Sequence, residues 1–96
     1  MELTEQEKKL LTALHGTRLL NWDFYPHFKE FLEEHMSFEG LDIKKEVDKF
    51  VGLGLLRVED LGEGVVLCKH TDKVTSEMLD DELKYYGYDY GFENAQ

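Results

Sequence analysis

The chain has 96 residues, 42% of them hydrophobic and 12% aromatic, and its 21 acidic and 11 basic side chains give a formal net charge of −10 at pH 7. This length suggests one domain, and the apolar content excludes a disordered acidic chain. No apolar run approaches the roughly 20 residues of a membrane span, and the acidic start lacks the pattern of a signal peptide. We therefore expect a cytoplasmic protein without a membrane partner.

The first helix is predicted to begin after Thr4, a residue type suited to the N-cap position. Glu7, three residues later, completes the pattern of a capping box. The helix has an apolar stripe of leucines, and a short extended link follows it, in which Leu19 and Leu20 are expected to be buried. The stripe consists of Leu10, Leu11 and Leu14.

A second helix is predicted over residues 21–36. Asn21 or Asp23 can cap it, and Pro26 fits its first turn, where the missing N–H costs nothing. Apolar side chains at helical spacing form its inner face, which indicates a packed core rather than a docking stripe. They are Phe24, Phe28, Phe31, Leu32 and Met36.

A third helix is predicted to begin after Asp42 and to end at Gly52. One of its faces is apolar, so the opposite face presents Lys45 and Lys49, one turn apart. The apolar face consists of Ile43, Val47, Phe50 and Val51.

Two β-prone segments follow the third helix, and the glycines between them indicate a hairpin. Gly62 and Gly64 permit the positive φ angles that a tight turn needs. Thr71 is predicted to cap a fourth helix that continues to Tyr86. Across the whole chain, the side chains expected to be most buried are Leu10, Leu14, Phe28, Phe31, Val47, Phe50 and Leu67.

This order of helix, short strand, helix, helix, hairpin and helix resembles the winged helix-turn-helix family of DNA-binding domains. The segment VDKFVGLGLLRVED is similar to the family pattern in which the recognition helix ends at a glycine and turns into the wing. The segment KHTDKVTSEML is similar to the family's exit from the wing. The resemblance implies an α+β winged-helix domain over residues 1–87, with three helices, a β-hairpin wing and a C-terminal fourth helix, before an acidic aromatic tail over residues 88–96.

The resemblance also implies a function in regulating transcription by binding double-stranded DNA. In this family the third helix lies in the major groove and the wing touches the backbone or the minor groove. The corresponding groove-facing residues would be Lys44, Lys45, Asp48 and Lys49. Arg57 and Lys69 would lie near phosphates on the hairpin.

The chemistry of these segments departs from that expectation. The outer face of the third helix has no Arg, Asn or Gln for bidentate base contacts, and the wing tip carries Glu59, Asp60 and Glu63. A net charge of −10 also repels DNA at long range. The alternative is therefore an acidic winged-helix module for protein–protein interaction, or a DNA mimic, that does not bind DNA.

The aromatic end of the chain predicts a partner interface. Five aromatic side chains occur within eight residues that carry few charges, and an exposed apolar patch of that size is uncommon on a monomer. We expect a homodimer through the fourth helix and the tail, with a tail that folds back on its own domain and a frayed terminus as the alternatives. The aromatic residues are Tyr85, Tyr86, Tyr88, Tyr90 and Phe92.

No sequence pattern indicates an enzyme or a metal or cofactor site. The four histidines are scattered, HExxH and CxxC motifs are absent, and the glycine-containing segments do not precede helices as phosphate loops do. Cys68 is the single cysteine, so it cannot form an internal disulfide, and we interpret it as part of the core.

Overall fold

The structure, a computed structural model, describes residues 2–86. These residues form an α+β fold with four α-helices, one short 3-10 helix and a four-stranded antiparallel sheet. Within this part of the chain, no helix combines the length and apolar character needed to cross a bilayer. The elements are α1 (Glu5–Leu14), β1 (Thr17–Leu20), β2 (Asp23–Phe24), α2 (Pro26–Glu33), α3 (Ile43–Gly52), β3 (Leu56–Gly62), β4 (Val65–His70), the 3-10 helix (Ser76–Met78) and α4 (Asp81–Tyr86).

The sheet has the strand order β2-β1-β4-β3, so β1 connects two antiparallel hairpins. Leu19 of β1 lies opposite Val66 of β4, and both contribute to the core on the helical side of the sheet. Because side chains alternate along a strand, the residues that precede and follow Leu19 and Val66 in their strands point to the opposite side of the sheet, away from the helices. We call that opposite side the outer face; its residues are Arg18, Leu20, Asp23, Arg57, Glu59, Val65, Leu67 and Lys69.

The core lies between the helices and one face of the sheet, and most of the predicted core residues are in it. The structure confirms the predicted burial of five side chains, those of Leu10, Leu14, Phe28, Val47 and Phe50. The prediction for Phe31 was wrong, because its ring is only partly buried. Leu67 is buried, but its cross-strand neighbours are Arg18 and Glu59, and it lies on the outer face outside the core cluster.

The capping signals predicted for α1 and α3 are confirmed. The Thr4 hydroxyl accepts a hydrogen bond from the Glu7 N–H, and the Glu7 carboxylate accepts one from the Thr4 N–H. The Asp42 carboxylate accepts from the Lys45 N–H at the start of α3. Val51, at the other end of α3, is 42% exposed, so the apolar face of this helix is narrower than predicted.

The predicted start of the second helix was wrong. Asn21 and Trp22 have φ angles of 52° and 64° and form the turn of a short β1–β2 hairpin. Asp23 therefore belongs to β2, and the helix begins only at Pro26. Leu20 pairs with Asp23 on the outer face and is 39% exposed, which overturns its predicted burial.

The predicted fourth helix was too long. Thr71 does not cap a helix: its hydroxyl donates to the Gly54 carbonyl and accepts from the Lys73 N–H. A 3-10 turn follows, and α4 begins at Asp81, after Asp80 accepts a hydrogen bond from the Leu83 N–H. The tail over residues 88–96, with its predicted interface residues Tyr88, Tyr90 and Phe92, lies outside the described residues.

Candidate functional site

Lys49 of α3 is held in two ion pairs within the domain. Its Nζ lies 2.7 Å from Oε2 of Glu7 and 2.8 Å from Oε1 of Glu46. The hydrogen bonds to Glu46 and Glu7 raise the pKa of Lys49, and the hydrogen bond from Lys49 lowers the pKa of Glu7, with the Thr4 N–H adding to that effect. Lys49 thus links α3 to the first turn of α1, and its charge is compensated there.

The other two lysines of α3 differ in their surroundings. Lys44 pairs with Asp48, one turn later, at 3.1 Å, and its Nζ lies 5.1 Å from the centre of the Trp22 ring. Lys45 is exposed and forms no ion pair with any described residue. Of the three predicted groove-facing lysines, one therefore keeps an uncompensated charge.

The tip of the β3–β4 hairpin presents acidic side chains. Glu59, Asp60 and Glu63 are all exposed. The Asp60 carboxylate accepts a hydrogen bond from the Gly62 N–H at 2.8 Å, and this contact stabilises the irregular register between Asp60 and Gly62. Leu61 is 47% exposed beside them. The tip therefore combines negative charge with one apolar side chain.

Arg57 and Lys69 lie directly opposite each other on β3 and β4, on the outer face. Because α3 packs on the helical side of the sheet, Arg57 and Lys69 point away from α3. The predicted DNA-binding residues are consequently divided between two surfaces. Neither Arg57 nor Lys69 forms an ion pair within the described part of the chain.

Arg18 is a third outer-face cation that the sequence reasoning missed. It is exposed on β1, opposite Leu67, and makes no ion pair with a described residue. The alternation of TRLL could have indicated its direction. The pairing of β1 with β4, which brings it near Lys69, connects segments far apart in sequence and has no local signal.

Two of the four histidines are brought together: the rings of His15 and His70 stack with centroids 4.3 Å apart. Burial lowers the pKa of His70 to about 4, so this ring is neutral near pH 7. Burial also raises the pKa of Cys68 to about 11, so its thiol stays protonated. Over residues 2–86 no group of three or more His, Cys, Asp or Glu side chains is arranged to hold a metal ion.

Comparisons of the chain with protein-family models, with curated proteins and with solved structures gave no match.

Proposed function

We propose that this chain is a winged helix-turn-helix domain that binds a protein partner rather than duplex DNA. The winged-helix assignment is supported by the order of α1, β1, α2, α3, β3 and β4. It is also supported by the direct passage from α3 into an antiparallel hairpin. The two strands between the first two helices, β1 and the short β2, belong to the same sheet as that hairpin, which gives one continuous layer beneath the helices.

The observation that supports protein over DNA most strongly is the position of Lys49 between Glu7 and Glu46. To contact a phosphate, Lys49 would have to leave two charge-assisted hydrogen bonds. Its departure would also leave two carboxylates facing the DNA backbone. A lysine held in this way stabilises the packing of α1 on α3 and contributes little to binding a polyanion.

The charge of the hairpin tip supports the same conclusion. DNA binding depends on cations that replace the counterions of the phosphates, whereas the exposed tip carries Glu59, Asp60 and Glu63. Acidic side chains around the exposed Leu61 suit a protein surface with basic and apolar groups.

Duplex DNA is the second candidate, and one specific observation favours it. Lys45 is exposed on α3, the helix that would enter the major groove, and it is free of ion pairs with described residues. One point charge of this kind can contact a phosphate but specifies little sequence.

The two candidates are separated by titrating a fluorescent duplex of about 20 base pairs at about 50 mM salt, where non-specific contacts are strongest. We expect no saturable change in anisotropy with protein up to about 100 µM, the weak end of the non-specific range. Saturable binding that weakens steeply with salt, and that Lys45→Ala reduces, would instead support DNA binding and reject the proposal. Glu30→Ala, on the exposed side of α2, is the control for a surface change outside α3.

A further inference from the structure

We propose that residues 88–93 of a second copy of this chain add as a strand to the free edge of β3. This inference deepens the proposed function, on which it rests for assigning the domain to protein rather than DNA. It names a surface and a partner for the domain. Four features of the chain carry it: an open strand edge, a cation pair beside that edge, exposed apolar side chains near it, and the pattern of the tail sequence.

The open edge is that of β3. β3 is the last strand in the order β2-β1-β4-β3, so among the described residues only β4 pairs with it. Unpaired N–H and C=O groups on such an edge are ready to accept another strand. The irregular register between Asp60 and Gly62 disturbs the edge near the tip. The regular part, residues 56–60, therefore has the length for a segment of five or six residues.

The cation pair lies along the outer side of this edge. Arg57 on β3 and Lys69 on β4 are direct cross-strand neighbours. Like charges in this position destabilise a sheet, and no described carboxylate compensates either of them by an ion pair. In a chain with a net charge of −10, two adjacent uncompensated cations indicate a place for an anionic ligand. A carboxylate from an added strand would lie next to Arg57, whereas Lys69 on β4 would be two strands, or about 10 Å, from the added strand and would act on it only as a longer-range charge.

The helical side of the same edge offers apolar contacts. Val58 of β3 points to this side and is only partly buried. Val51, near the end of α3, and Leu53, three residues before β3, are also exposed, at 42% and 40%. Apolar side chains of an added strand would cover Val58, and burying apolar area is the expected gain for such an addition.

The sequence YDYGFE, residues 88–93, has the complementary pattern. Its aromatic residues alternate with non-aromatic ones, the period of a strand with one apolar side. In an added strand the three aromatic rings would face the helical side and the two carboxylates would face the outer side, where one of them could lie beside Arg57. The aromatic residues are Tyr88, Tyr90 and Phe92, and the carboxylates are those of Asp89 and Glu93.

A second copy fits this contact better than the tail of the same chain. α4 packs against α1, and Leu83 of α4 is buried in the core, whereas β3 is packed against α3. Six residues in an extended strand already span about 20 Å. Only residue 87 lies between the end of α4 at Tyr86 and the pairing segment, so pairing within one chain requires the end of α4 to lie beside β3, whereas the main packing contact of α4 is with α1.

A nucleic acid fits this edge less well. Single strands bind through aromatic platforms on which bases stack, and none of the outer-face side chains is aromatic. A duplex needs a larger set of cations than Arg57 and Lys69, with Glu59 beside them.

Sedimentation equilibrium of the full chain tests the proposal at about 50 mM and about 500 mM salt, since screening weakens exposed charge pairs. We expect reversible self-association, and we expect Arg57→Glu with Lys69→Glu to weaken it about tenfold or more. Arg18→Glu is the control on the outer face two strands, or about 10 Å, away from β3, and it makes half the charge change of the double variant. Arg18→Glu should change the dissociation constant of self-association by less than about threefold, as expected for a charge outside the contact.

A charge exchange makes the test decisive. Asp89→Lys with Glu93→Lys should abolish self-association of that variant, because its tail then repels Arg57 and Lys69. When it is mixed with the variant carrying Arg57→Glu and Lys69→Glu, a heterodimer should form, because each tail then meets a surface of opposite charge.

A parent chain that stays monomeric at several hundred micromolar, or a mixture that forms no heterodimer, overturns the inference. Tail-dependent protection of β3 amides from hydrogen exchange without any concentration dependence would assign the edge to the tail of the same chain and also overturn it. Either outcome would overturn only this inference. The proposed function is rejected by a different result, the binding of duplex DNA. Duplex binding that is lost with Arg57→Glu would reject both.

Discussion

The backbone N–H of His70 donates to Nδ1 of His15 at 3.1 Å, and this bond joins β4 to the end of α1. Nδ1 of a histidine accepts only when it carries no proton, so the contact requires a neutral His15. Nε2 of His70 lies 2.7 Å from the Leu11 carbonyl and is therefore the protonated nitrogen of that ring. The stacked rings thus form a connection between α1 and β4 that depends on the protonation state of both.

This connection predicts a loss of stability in mild acid. Burial lowers the pKa of His70 from 6.5 to about 4, against the opposing effect of the hydrogen bond to the Leu11 carbonyl. Below pH 6.5 the unfolded chain therefore binds a proton that the folded chain takes up only near pH 4. Stability from this residue is complete above pH 6.5 and falls by on the order of 2–3 kcal/mol as the pH drops to 4.

Urea unfolding at a series of pH values between 7.5 and 4 measures this effect. His70→Gln keeps a donor for the Leu11 carbonyl but does not titrate, so it separates His70 from the many carboxylates that also respond to acid. The variant should be less stable than the parent at pH 7.5 and should lose less stability over this interval. Parallel pH curves for parent and variant would show that His70 does not cause the loss.

The ion pairs of Lys49 predict a small but specific contribution to stability. Lys49→Ala removes the link between α1 and α3 and should cost about 0.5–1 kcal/mol, the upper range for partly exposed pairs. Lys45→Ala is the matched control: it lies on the same helix, is equally charged and makes no ion pair with a described residue. Its cost should be close to zero. The difference between the two variants, measured by urea unfolding, should shrink at about 1 M salt, and equal costs would contradict the role of Lys49.

The parts of the fold that were predictable from the sequence depend on local chemistry. Thr4 with Glu7, and Asp42 ahead of α3, are caps whose hydrogen bonds close within three residues, so the motif contains all the information. The hairpin turn was likewise indicated by Gly62 and Gly64, whose φ angles are 90° and 82°. Each of these signals requires no knowledge of the rest of the fold.

The parts that were not predictable depend on contacts between distant segments. Lys49 was identified as a groove-facing residue because helical spacing gave its direction, but its partner Glu7 lies 42 positions away. The β1–β2 hairpin has Trp22 at a φ of 64°, a conformation that the residue type disfavours. The aromatic spacing after it favoured a longer helix instead. Tertiary pairing of β1 with β4 overrides that local preference.

The two phenylalanines predicted to be in the core should respond differently to truncation. Phe50 is completely buried, so Phe50→Ala should cost about 3–5 kcal/mol, a large part of the stability of a small domain. Phe31 is partly buried and stacks on Phe28 at a centroid distance of 6.2 Å. Phe31→Ala should therefore cost clearly less, about 1–2 kcal/mol. Chemical denaturation of both variants checks the order, and a larger cost at Phe31 would mean that the register of α2 differs from the structure.

The contact between the two hairpin turns predicts a steric effect at Gly64. Its carbonyl accepts from the Asn21 N–H at 2.7 Å, and a Cβ at Gly64 would lie 2.5 Å from Oδ1 of Asn21. Gly64→Ala therefore imposes both a positive φ of 82° on a residue with a side chain and a collision with Asn21. Gly62→Ala is the matched control, because its φ is 90° but no atom lies within 4 Å of the added Cβ.

The positive φ alone should cost about 1–2 kcal/mol at Gly62, and Gly64→Ala should cost more by the amount needed to move Asn21. Asn21→Gly should recover that excess in the double variant, since glycine tolerates the φ of 52° at position 21. Thermal unfolding of the variants measures these differences. Equal costs at Gly62 and Gly64, or no recovery in the double variant, would show that the β1–β2 turn does not pack against the tip of the β3–β4 hairpin.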